Sequence, residues 1–207
     1  MGETGLSRLT AAFRQGRPAL VAYLMAGYPS RAGSLQALRA VARAGADVIE
    51  LGVPYGDPLA DGPVIAEAAR VARDQEGGFG LVHALQVAEA FIADPGVSET
   101  PPVVVMTYLN PLMRFGLPVA AACMREAGVS GVIVPDMPPE AASPWLGVAE
   151  GIDTVFLATP TSTAERLAVV LALGIHDITV EDPVQAARQG AGLERGIVGP
   201  LKAFAQM

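Results

Sequence analysis

Short apolar, β-branched runs recur along the chain, separated by longer stretches in which apolar positions return every three or four residues. The runs are "ALVAYLM" at 19–25, "DVIELG" at 47–52, "PVVVMT" at 102–107, "GVIVP" at 131–135, "DTVFL" at 153–157, "IHDITV" at 175–180 and "RGIV" at 195–198. Each predicts a strand. In "SLQALRAVARAGA", Leu35, Leu38, Val41 and Ala42 fall on one helical face, and similar patterns predict helices over 64–73, 81–93, 116–127, 139–149, 163–173 and 183–190, with a further helix over 5–14 ahead of the first strand.

Strands apolar on both faces and alternating with helices imply parallel pairing through right-handed crossovers, hence an α/β fold. An open doubly wound sheet and a closed (β/α)₈ barrel both satisfy that pattern. Polar positions favour the barrel: Glu50, Tyr108 to Asn110, Asp136 and Thr159 to Thr161 all sit at or just past the C-terminal ends of strands. Barrel enzymes build their sites at that face. No GxGxxG and no GxxxxGK occurs to support a dinucleotide or P-loop crevice.

Composition narrows the class. With 207 residues, 51% hydrophobic and 17% charged, the chain is expected to form one barrel domain over 1–207. No apolar stretch reaches the roughly 18 residues of a spanning helix, and the N-terminal stretch lacks the pattern of an export signal, so a cytoplasmic location is expected. The net charge of −7, with 14 scattered basic residues, argues against a nucleic-acid footprint. A single Cys123 among apolar helix residues reads as an inert buried thiol.

The densest candidate chemistry is "IELGVPYGDPLADGP" at 49–63, which carries Glu50, Asp57 and Asp61. Glu50 reads either as an acid–base group or as a strand-end ion pair. Asp61, followed by Gly62 and Pro63, reads either as a site carboxylate or as a helix cap. Asp57, in "YGDP", reads first as a turn residue. His83 and His176 have no second ligand at metal spacing, and Asp57 with Asp61 matches no cation loop, so no metal is expected.

Five ordered stretches, "LVAYLMAGYP", "GADVIELGVPYGDPLADGPVI", "VVVMTYLNPLMRFG", "AGVSGVIVPDMPPE" and "TPTSTAERL", resemble the tryptophan synthase α subunit family in register over about residues 5–170. That resemblance implies a (β/α)₈ barrel that cleaves indole-3-glycerol phosphate to indole and glyceraldehyde 3-phosphate, a retro-aldol reaction without metal or organic cofactor. It also implies a β-type subunit as partner. Glu50 and Asp61 match the family's catalytic carboxylates, and Asp57 matches a position that signals to the β subunit. Tyr23, where the family usually has Phe, matches a residue flanking the indole. Tyr108, Ile133 and Pro135 match pocket-wall positions.

After residue 170 the pattern departs from the family. The sixth βα unit is unrecognisable, and "DPVQAARQ" and "GIVGPLKAF" resemble the family's last two units, as an internal deletion of about one unit would leave them. The barrel is therefore expected to be incomplete or altered at strands 6 and 7. Gly174 and Gly199 match phosphate-loop glycines, while Pro200 stands where the family pattern has Ser and removes a hydroxyl and an N–H donor. Two further readings follow: a catalytically impaired paralogue that binds or regulates a β-type subunit, or a lyase for a different indole derivative.

Overall fold

The computed structural model describes residues 5–13, 15–57, 61–97 and 99–157, together with Thr163 and Val169. Five strands, β1 (Val21–Met25), β2 (Val48–Gly52), β3 (Val103–Met106), β4 (Gly131–Ile133) and β5 (Asp153–Val155), form one sheet in the order β1-β2-β3-β4-β5. Every neighbouring pair is parallel. A doubly wound sheet reverses its strand order at a switch point; here the order follows the sequence without reversal, as in the wall of a barrel. All five strands fall within the predicted runs. The runs at 175–180 and 195–198, the helix at 183–190 and all of the helix at 163–173 except Thr163 and Val169 lie outside the described residues, as do Gly174 and Gly199.

The helices are α1 (Gly5–Phe13), α2 (Arg31–Arg43), α3 (Pro63–Arg73), α4 (Leu81–Ile92), α5 (Leu109–Phe115), α6 (Leu117–Glu126) and α7 (Ser143–Leu146), the last preceded by a 3₁₀ turn at Pro139–Ala141. Local chemistry sets several of their ends. The Ser30 side chain accepts the Gly33 N–H at 3.1 Å to start α2, and Pro63 opens α3, where its missing N–H costs nothing.

One predicted helix requires correction, and one helix was not predicted. The stretch at 139–149 is a 3₁₀ turn followed by the single-turn α7, because Pro139 and Pro144 interrupt the run of N–H donors that its apolar periodicity suggests. The stretch 109–115, over which no helix is predicted, is α5, with Pro111 in its first turn, where proline is tolerated.

The strands alternate between two apolar layers. Ile49, Leu51, Val103, Val105 and Val132 belong to the larger cluster that α2, α4 and α6 cover from outside, through residues such as Leu38, Phe91 and Met124. Val48, Val104, Met106, Ile133 and Val155 form the other face, with Tyr108 and with Leu9 and Ala12 of α1. Helix α1 thus closes the inner face near the N-terminal ends of β4 and β5. Gly131 allows this approach: a Cβ there would lie 3.1 Å from the Asp153 carbonyl and 3.4 Å from Leu9 Cδ2.

Among the described residues, no helix is long and apolar enough to cross a membrane.

Candidate active site

The alternation that puts Val48 on the inner face carries Glu50 and Gly52 to the same side of β2. Glu50 is 4% exposed, one of few buried charged residues in an otherwise apolar wall. None of the ion pairs among the described residues includes it, so the ion-pair reading does not hold. Its carboxyl is pushed up to about 7, first by burial and then by the charge of Asp61. A carboxyl held there exchanges a proton readily near neutrality.

Asp61 lies on the loop after β2, half-buried, and burial raises its carboxyl above the ordinary range. The helix-cap reading is contradicted: the N-cap of α3 is Gly62, and no side chain caps it, because the chain enters the helix through the Gly62 backbone and Pro63. Asp61 Oδ1 is instead buried and makes no hydrogen bond among the described residues. Since the Asp61 charge contributes to the shift of Glu50, the less buried carboxylate ionises first and holds the proton on the other.

Tyr23 is the register partner of Glu50 on β1. Its hydroxyl reaches over Gly52, where any side chain would overlap it, so the glycine makes room for the tyrosine. Burial raises the phenol well above its ordinary value, and Asp61, Glu50 and Tyr108 push it in the same direction. Tyr108 follows β3, is 1% exposed and stacks on Tyr55 with ring centroids 4.9 Å apart. Tyr55 in turn accepts a hydrogen bond from Asn110 Nδ2 at 3.1 Å. Ile133 is buried at the end of β4, in the apolar cluster with Tyr108, and Pro135 follows two residues later, half-buried in the turn after that strand.

The structure thus brings Tyr23, Glu50 and Asp61 together, with Tyr108 beside Tyr23. Asp57 is exposed in a bend outside this group, in keeping with its turn reading. Asp136 accepts the Leu109 N–H at 2.8 Å and so holds the start of α5 rather than facing a ligand. His83 accepts the Gly80 N–H at 3.3 Å through Nδ1 and packs on Phe79 at the start of α4. Those last two residues line, with Tyr55 and Asn110, a separate surface groove of about 430 Å³. Among the described residues, no group of three His, Cys, Asp or Glu could hold a metal ion.

One polar residue escaped sequence reasoning. Asp153 lies across the sheet in the same register row as Tyr23, Glu50, Val104 and Gly131. Burial pushes its carboxyl up to about 6, and its Oδ1 has no hydrogen-bond partner among the described residues. The signal was available in "DTVFL": Val155 of that run is on the inner face, so period-two alternation puts Asp153 there too.

Known proteins match the chain in sequence and in fold. The family model for the tryptophan synthase alpha chain matches residues 9–175. The alpha chain of Thermobifida fusca is 44% identical over 163 residues, covering 78% of this chain and 58% of its own length. That of Paraburkholderia phymatum is 42% identical over 171 residues, covering 80% and 61%. Among solved structures, tryptophan synthase from M. tuberculosis, in an open form with BRD0059 bound, superposes with a TM-score of 0.72 at 38% identity, covering 83% of this chain and 67% of that one. The alpha subunit from Legionella pneumophila gives 0.69 at 31% identity, covering 82% and 64%. The chain therefore spans about three fifths of the length of these curated relatives.

Proposed function

Because the chain belongs to the tryptophan synthase alpha chain family, we propose that it is an alpha-type lyase, cleaving indole-3-glycerol phosphate to indole and glyceraldehyde 3-phosphate in tryptophan biosynthesis. The observation that carries the reading is the carboxyl of Glu50, 4% exposed, held near neutrality on the inner end of β2 with Asp61 beside it.

Breaking the bond between indole C3 and the glycerol chain needs a proton at C3 and the loss of one from the side-chain hydroxyl that becomes the carbonyl. Glu50 serves both transfers as general acid and base, which a carboxyl near 7 suits in either direction. Positive charge develops on the indole nitrogen as C3 is protonated. Ionised Asp61 accepts the N1–H and stabilises that charge inside a largely apolar wall, where the interaction is stronger than in water. Tyr23, Tyr108, Ile133 and Pro135 flank the ring.

The phosphate falls to Gly174 and Gly199. In this reading residues 1–207 form one barrel domain, the protein works in the cytoplasm without metal or organic cofactor, and a β-type subunit takes up the indole.

The test is indole release from indole-3-glycerol phosphate by purified protein. Release that Glu50→Gln abolishes supports the reading; release no greater than from that variant sinks it.

A second reading rests on Pro200, which stands where the family pattern has Ser and offers a phosphate neither hydroxyl nor N–H. It makes the chain a partner that modulates a β-type subunit without turning over substrate. Mixing experiments separate the two: altered β-subunit activity in the absence of indole release favours the second.

A further inference from the structure

The loop after β2 and the start of α5 meet through two contacts made by one side chain. Tyr55, in that loop, stacks its ring on that of Tyr108, with centroids 4.9 Å apart and planes inclined at 29°. Its hydroxyl accepts a hydrogen bond from Asn110 Nδ2 at 3.1 Å, two residues further along the same segment. A stack alone lets one ring slide over the other. A bond at the far end of the ring fixes where it lies.

Both sides of this contact are anchored. Tyr108 is the N-cap of α5 and is 1% exposed, and the helix start is held to the turn after β4 by Asp136, which accepts the Leu109 N–H at 2.8 Å. On the other side the next loop residue is Gly56, where Nη1 of Arg73 in α3 occupies the place that a side chain would take. Tyr55 is half-buried against the inner apolar cluster to which Tyr108 belongs, and Asn110 is exposed. The tie therefore lies at the rim of the site, above its wall.

We infer that Tyr55 is a positioning residue: tied to Asn110, it holds the Tyr108 ring in place as a wall for a flat aromatic ligand before that ligand arrives. A ring fixed beforehand spares the ligand the cost of ordering it. That the wall faces an indole rests on the lyase reading; the hold of Tyr55 on Tyr108 does not.

Indole itself is the probe, titrated into the purified full chain by calorimetry. Tyr55→Leu removes stack and tie together and is expected to weaken indole binding about tenfold. Tyr55→Phe and Asn110→Ala each remove the tie alone and are expected to weaken it about two- to threefold. The double variant is expected to lose no more than either, because both delete the same bond. Thermal unfolding of each variant separates positioning from packing. Stability lost at unchanged indole affinity makes Tyr55 a packing residue only and overturns the inference, as do tie effects that multiply in the double variant. Should Tyr55→Leu fail to fold, the comparison of Tyr55→Phe with Asn110→Ala carries the test.

A parent protein that binds no indole sinks the lyase reading instead. The flipping rate of the Tyr108 ring, read from the aromatic resonances that Tyr108→Phe removes, then decides the matter. Faster flipping in Tyr55→Leu, or in Tyr55→Phe if the leucine variant does not fold, supports the hold of Tyr55 on Tyr108, and an unchanged rate overturns it.

Discussion

Glu50 and Tyr23 are register partners on adjacent parallel strands, and the burial that raises the carboxyl of one also raises the phenol of the other. An apolar barrel wall with two polar side chains abreast is a costly arrangement for folding, and the cost depends on pH.

For Glu50 the sign follows directly. Its folded value, about 7, lies above the ordinary value of about 4.5, so the folded state binds the extra proton between those limits. The stability this gives is complete below about 4.5 and is lost as pH rises through 7. Glu50→Gln removes the titration, and the variant is expected to equal the parent near pH 4 and to exceed it by about 3 kcal/mol near pH 8. Urea unfolding of both proteins at the two pH values measures the difference; equal stability at both means the carboxyl is not desolvated as the structure has it.

Gly52 is required for space. A Cβ there would overlap the Tyr23 hydroxyl and lie 2.7 Å from Tyr23 Cζ, so Gly52→Ala forces the ring to move. The expected cost is about 1–3 kcal/mol. Because part of the clash is with the oxygen, Tyr23→Phe recovers part of that loss. A double-mutant cycle by thermal unfolding reads the coupling, and strict additivity excludes the contact.

The strand of the candidate site was legible in the sequence because two signals coincide there: a short apolar run, and a charged residue interrupting it on the inward phase. Glu50 stands out between Ile49 and Leu51 for that reason. Tyr23 was marked only by the family resemblance. Asp153 was missed because it opens its run, where a polar residue reads as the end of a loop, and only pairing with β4 places it inside the strand. The fit of Tyr23 over Gly52 joins two strands and leaves no local trace in either. Helix α5 was hidden by Pro111, which reads as a breaker until the start of the helix is known.

A second buried polar pair supports the outer layer. Trp145, 1% exposed, donates its indole N–H to Thr154 Oγ1 at 3.0 Å, joining α7 to β5. Thr154→Val keeps the shape and leaves a buried donor without acceptor, at an expected cost of about 1–3 kcal/mol. Denaturant unfolding followed by the fluorescence of this single tryptophan reports both the loss and the changed environment. A change below about 0.5 kcal/mol places the N–H in contact with another acceptor.

Asp61→Asn tests charge separately from shape. The amide is nearly isosteric and can still accept an N–H bond through its oxygen, so ring binding survives in part. What disappears is the negative charge facing the developing cation, an interaction that strengthens only as C3 is protonated. The substitution is therefore expected to lower kcat by about 10²–10³-fold with a much smaller change in KM. It also removes the charge that helps lift Glu50, so the Glu50 midpoint falls from about 7 toward the ordinary range. Steady-state indole release across pH checks both effects. A rise in KM at unchanged kcat assigns Asp61 to ground-state binding, and a Glu50 midpoint that stays put shows that burial alone sets it.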